Sequence, residues 1–145
     1  MASEKNPQTH KITQYMMDGD AFSQWLGIEV ISAEEGSAHL QMTIRKEMTN
    51  GFGIAHGGIS YSLADSALAF ASNNFGRQSV SIETSISHIQ KMEVGDVLSA
   101  QCSLVSQSHK IGVYTVQIKN QKDQLVADFK GTVYKSSQNW EDHIK

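Results

Sequence analysis

From Gly57 to Asn74 the chain reads GGISYSLADSALAFASNN, an apolar, small-residue-rich segment with a single charge, Asp65. A strand is usually about 5–6 residues, so this segment is too long to be one. Its alanines and leucines favour helix, and as a helix it spans ~27 Å at 1.5 Å per residue. Nothing downstream reads as a second helix to pack against it. A sheet must therefore curl to cover it, and Ser60, Ala64, Ala67 and Ala71 are small enough to let strands approach closely.

The flanking patterns supply that sheet. Residues 28–34 and 37–45 read as two strands joined at Glu35-Gly36. In the second, Ala38, Leu40, Met42 and Ile44 alternate with polar residues, the period of a half-buried strand. Four more strand candidates follow the helix. Val80, Ile82, Thr84 and Ile86 alternate with Ser81, Glu83, Ser85 and Ser87. Gly95-Asp96 marks a turn, and Leu98, Ala100, Cys102 and Leu104 form one face of the next strand. His109-Lys110 lies at a tight hairpin, then come Val113 to Lys119 and Leu125 to Lys135, with a turn from Asn120 to Asp123 between them. Upstream, Ile12, Tyr15 and Met16, then Phe22, Trp25 and Leu26, fall at helical spacing. Asp18-Gly19-Asp20 interrupts them, Asp20 suits a cap, and Gly27 suits a helix end. The expected fold is α+β, an antiparallel sheet wrapped around one central helix. It forms a single domain over residues 11–136, between a frayed N-terminus at 1–10 and a tail at 137–145.

Composition narrows the function. A chain of 145 residues with 39% hydrophobic and 19% charged residues can bury a core without staples. Its net charge of −3 is spread along the sequence, with no basic block for nucleic acid or for a membrane surface. No apolar run reaches the ~20 residues of a membrane span, and the polar N-terminus does not read as a secretory signal. The lone cysteine, Cys102, excludes an internal disulfide framework and fits a reducing, cytoplasmic setting. The histidines are scattered, with neither HExxH nor a Cys/His grouping, so no metal and no cofactor is expected.

The chemistry concentrates around the long helix. His56-Gly57-Gly58 leads into it, and the first N–H groups of a helix have no internal acceptor. They carry the positive end of the helix dipole, and glycine lets a ligand approach the backbone. A carbonyl docked there is held where negative charge develops on attack. Asp65 lies eight residues beyond Gly57, ~12 Å along the axis and about 80° around it. One chain therefore cannot easily bring both to one carbonyl. An antiparallel partner helix brings a second Asp65 to that place, so the spacing predicts a homodimer with shared sites. The plainer alternatives are that the glycines only turn the loop into the helix, and that Asp65 joins Ser62, Ser66 and Asn73 on a solvated stripe.

The pattern Asn50-x-x-Gly53-x-x-His56-Gly57-Gly58 followed by Leu63-Ala64-Asp65 resembles the hotdog-fold acyl-CoA thioesterases of the PaaI type. Leu26-Gly27-Ile28-Glu29-Val30 and Gly95-Asp96 fit the same family. The chain departs at Gln90-Lys91-Met92-Glu93, where members often carry a proline. The resemblance implies hydrolysis of an aryl- or medium-chain acyl-CoA by a homodimer, often doubled to a homotetramer. In that scheme Gly57 polarises the thioester, and Asp65 is general base or nucleophile. Asn50 positions water or bonds Asp65, His56 supports the turn or touches the thioester, and Ser81 lies near the water. Gly58, Phe52 and Tyr61 contact substrate. By their charge, His109 and Lys110, with Lys91, suit the phosphates of coenzyme A, the plainer alternative being a solvated hairpin tip. A non-catalytic acyl-CoA sensor on the same fold is the competing reading. A hydratase is disfavoured because its acid and base pairings occur at other spacings.

Overall fold

The computed structural model describes residues 7–144. Helix α1 (Pro7–Asp18) and the short α2 (Ala21–Leu26) precede β1 (Glu29–Glu34) and β2 (Ser37–Thr43). The long helix α3 (Gly57–Asn73) follows, and then β3 (Arg77–His88), β4 (Val97–Gln107), β5 (Ile111–Lys119) and β6 (Leu125–Asn139). The six strands form one antiparallel sheet in the order β1-β2-β4-β5-β6-β3. The sheet curls around α3, the α+β arrangement that the single apolar helix requires.

Local signals act as the sequence suggests. The Asp20 carboxylate caps α2, accepting from the Ser23 N–H at 2.9 Å and the Ser23 hydroxyl at 2.6 Å. Gly27 ends that helix with φ 74, a left-handed conformation that glycine adopts without strain. The inner face of α3 is fully buried at Leu63, Ala64, Ala67 and Ala71. Glycine is needed where β6 passes α3, since a Cβ on Gly131 would lie 2.5 Å from Leu68 Cδ2. Cys102 lies in this core, and burial pushes its thiol up to about 12.

Three expectations need correction. The segment expected to fray over residues 1–10 is helical from Pro7, the first position of a helix being one that proline favours; residues 1–6 lie outside the described part. The expected tail at 137–145 begins inside β6, which continues to Asn139. Trp140 then folds back, its backbone N–H donating to Gly76 O and its indole to Asn73 Oδ1. The third correction concerns β3. Its period-two pattern predicts Val80, Ile82, Thr84 and Ile86 on one face. Instead, Ser81 pairs with Val133 and Glu83 with Thr132, leaving Ile82 as the extra residue of a bulge. Val80 lies opposite exposed Tyr134 on the outer face. Ser81 lies opposite buried Val133 on the inner one. Beyond the bulge Thr84, Ile86 and His88 face inward, opposite Gly131, Phe129 and Ala127.

Asn73 locks the start of β3 to the end of α3. It is 2% exposed, so it is not on a solvated stripe. Its Oδ1 accepts from the Ser79 N–H at 2.9 Å and the Trp140 indole at 2.8 Å. Its amide donates to Ser79 O and Ala69 O. Asn73→Leu strands these buried groups and is expected to cost about 3 kcal/mol, roughly 10 °C in Tm by thermal denaturation. An unchanged Tm would show that the lock contributes nothing.

Candidate active site

The loop before α3 is held by its own backbone. The Asn50 N–H donates to Ile54 O at 2.8 Å, the Gly53 N–H donates to Asn50 O, and the Asn50 side-chain oxygen accepts from the Phe52 N–H at 2.9 Å. Gly53 takes φ 77 to close the turn. His56 then caps α3, its Nδ1 accepting from the Gly58 N–H at 2.8 Å. That bond keeps the Nδ1 lone pair free of a proton and occupies the Gly58 donor. Among the described residues nothing accepts from the Gly57 N–H. The open donor at the helix start is therefore Gly57. It faces a cavity of about 310 Å³ lined by Asn50, Ala55, His88, Lys91 and Met92.

Asp65 opens into a different cavity, of about 410 Å³, shared with Ser81, Ser72, Val133 and Trp140. The bulge at Ile82 is what turns Ser81 toward it. Asp65 is half-buried, and its carboxylate has no hydrogen bond or ion pair among the described residues. Burial raises its pKa above the usual aspartate range, and the negative charge of Asp20 raises it further. Asp20 stands close because α2 docks on α3, where the Ser23 and Ser66 hydroxyls meet at 2.8 Å. Ser66 thus packs against α2, so the stripe next to Asp65 is not simply solvated.

The predicted residues therefore separate into two groups. Asn50 and Gly57 meet at the start of α3, beside the capping pair of His56 and Gly58. Asp65 and Ser81 meet farther along the same helix, and neither cavity is lined by both Gly57 and Asp65. Phe52 projects from the loop, 89% exposed. Tyr61 lines neither cavity. Its hydroxyl bonds Thr84, and its ring lies edge-on to Phe129. His109 and Lys110 occupy the β4–β5 hairpin, where the Arg77 guanidinium donates to the His109 carbonyl and the Lys135 N–H to the Lys110 carbonyl. Of the three residues expected to meet phosphates, only Lys91 lines the Gly57 cavity.

Two neighbours escape a reading from sequence. Trp140 sits in a polar stretch with no periodicity, yet lines the Asp65 cavity. His88 reads as one of several scattered histidines, although its two-residue spacing from Ile86 placed it on an inward face. Among the described residues no three His, Cys, Asp or Glu side chains gather as a metal site would require.

A curled sheet holding one helix is the hotdog architecture, and an open amide at that helix's start makes it a scaffold for thioester hydrolysis. Residues 52–127 match the thioesterase superfamily, and the chain belongs to that family. PaaI proteins are among its relatives. The acyl-coenzyme A thioesterase PaaI of Escherichia coli K12 is 39% identical over 116 residues, covering 80% of this chain and 83% of that protein. The solved structure of the E. coli PaaI protein from the phenylacetic acid degradation operon superposes with a TM-score of 0.89. Its identity is 34%, over 91% of this chain and 96% of that one. A thioesterase from Streptococcus pneumoniae TIGR4, solved with coenzyme A, superposes with a TM-score of 0.80 at 25% identity, over 86% and 98% of the two chains.

Proposed function

We propose that the protein hydrolyses the thioester of an aryl- or medium-chain acyl-CoA, releasing the free acid and coenzyme A, from sites shared between two subunits. The Gly57 N–H of one protomer holds the thioester oxygen. Asp65 of the partner subunit, with Ser81 of the partner subunit beside it, acts as general base on water or as the nucleophile. Asn50, whose amide nitrogen is free of the loop's own bonds, bonds the water or the carboxylate. Cytoplasmic placement belongs to the same reading, on the single buried thiol.

The observation that carries this reading is the division of the machinery between two cavities on one chain. The outer edge of β3 supports the pairing. It is a sheet edge of 12 residues, and Val80 and Ile82 stand 62% and 59% exposed on it. A long apolar edge left open is an aggregation hazard that native proteins cover. On the inner side of the same strand, Ser81 lies by Asp65, and His88 lies by Gly57. Antiparallel pairing of two such edges brings the Asp65 end of one chain toward the Gly57 end of the other. A further doubling to a tetramer is compatible with this pairing.

Mixing two inactive variants tests the shared site. Asp65→Asn removes one half, and Gly57→Pro removes the N–H of the other. After subunit exchange in equal amounts, about half the dimers are hybrids, each with one intact site, so about a quarter of wild-type thiol release returns. If both residues act within one chain, mixing restores nothing. Binding of acyl-CoA by the wild type without any thiol release would favour the sensor instead.

A further inference from the structure

The Gly57 cavity contains a side chain to which the scheme above gives no role. An ideal Cβ built on Gly57 would lie 3.1 Å from His88 Nε2 and 3.2 Å from His88 Cε1. The imidazole edge thus occupies the space directly in front of Gly57. The Gly57 nitrogen and the missing Cβ are bonded to the same Cα, so a carbonyl bonded to the N–H comes up beside the volume this ring borders. Ser60, one turn along α3, steadies the ring from behind. Its hydroxyl stands 3.1 Å from Gly57 O and 3.5 Å from His88 Nδ1, within reach of donating to either. With Nδ1 accepting from the Ser60 hydroxyl, the ring proton is on Nε2, which faces the cavity.

The placement has a cause in the backbone. His88 closes β3 opposite buried Ala127, on the inward face that the bulge at Ile82 sets for Thr84, Ile86 and His88. Thr84 spends this orientation on Tyr61 and Ile86 on the core. His88 is the last of the three, and it reaches the first turn of α3 at the mouth of the cavity, where it is exposed.

We propose that His88 is a substrate-contacting residue of the thioesterase site, with its Nε2–H donating a second hydrogen bond to the thioester oxygen held by the Gly57 N–H. The assignment rests on the proposed thioester hydrolysis. In this arrangement glycine at position 57 leaves room for the ring as well as for the ligand. The oxygen then lies between a backbone donor and an imidazole, both fixed before the substrate arrives.

Three variants separate a polar contact from a packing role. His88→Phe keeps a ring and loses the polar atoms. His88→Gln puts an amide nitrogen near the position of Nε2, and His88→Ala removes both features. Steady-state hydrolysis of phenylacetyl-CoA is read as kcat and KM, with Tm as the check on folding. The expected result is a fall in kcat of about tenfold or more for His88→Phe and His88→Ala, with Tm held and with most of the loss recovered in His88→Gln. Wild-type kcat in His88→Phe would overturn the assignment, and so would a His88→Gln as slow as His88→Phe. The ¹⁵N shift of His88 Nε2 on adding the ketone analogue phenylacetyl-dethia-CoA is a second readout; no change on saturation would also overturn it. A wild type that releases no thiol from phenylacetyl-, benzoyl- or C4 to C16 acyl-CoA would instead overturn the hydrolase reading.

Discussion

Asp65→Asn is expected to lower kcat/KM for acyl-CoA hydrolysis by about 10²–10⁴-fold, the range a positioned acid or base supplies. The amide keeps the shape of the side chain but neither takes a proton from water nor attacks a carbonyl. Folding is not expected to suffer. The carboxylate is half-buried without a hydrogen bond of its own, and burial and Asp20 both disfavour its charged form. Because its folded pKa lies above the unfolded value, the native state holds a proton that the unfolded chain releases. Over that window, and above it, the charge opposes folding, so at neutral pH the Asn variant should melt no lower than wild type. The same shift fixes the acidic limb of the wild-type rate. Activity needs the carboxylate and is lost as pH falls through a pKa above the ordinary aspartate value. A kcat/KM profile from acid to neutral pH, with Tm measured alongside, checks both statements. Undiminished turnover in Asp65→Asn would remove Asp65 from the chemistry.

Gly57→Pro is expected to cost about 10²–10³-fold in kcat, the usual effect of losing one donor to a developing oxyanion. The substitution is unusually clean here. Gly57 is the first residue of α3, a position where proline is favoured because the N–H has no helical acceptor. His56 before it is extended, with φ −61 and ψ 140, as a residue preceding proline should be. The helix should therefore start normally without the N–H. Gly57→Ala is the control. It keeps the donor and adds only a Cβ, 3.1 Å from His88 Nε2, which the ring relieves by a shift of a few tenths of an ångström. Alanine should retain much more activity than proline at similar Tm. Equal losses in both would assign the effect to crowding and not to the missing N–H.

The fold was legible because one long apolar helix leaves few ways to cover it, and alternation over residues 37–45 and 98–104 named the covering strands. The caps at Asp20 and Gly27 were equally readable, since each residue type has a local job there. The place of Asn50 in the loop before α3 was readable, and the distance from Gly57 to Asp65 followed from helix geometry alone. The bulge was not legible, because Ser81-Ile82-Glu83 contains no glycine or proline to mark it. With it went the true facing of Val80 and Ser81. Trp140 was hidden for another reason. A lone aromatic among polar residues has no period, and what holds it is a side-chain amide, that of Asn73, 67 positions away. Tyr61, His109 and Lys110 suit ligand contact by residue type, but within one chain the first packs on Thr84 and Phe129 and the other two lie at the β4–β5 hairpin, outside the lining of both cavities.

The extra residue in β3 is a unit of length that the strand can lose. Deleting Ile82 would join Ser81 directly to Glu83, and the ladder would run residue against residue, Ser81 with Val133, Glu83 with Thr132 and Thr84 with Gly131. Ser81, Thr84, Ile86 and His88 would all still face inward. What the deletion would take away is the local bend and added twist that a bulge gives its strand. A deletion at Ile82 should accordingly be tolerated better than an insertion beside it, which would set a second unpaired residue next to the first.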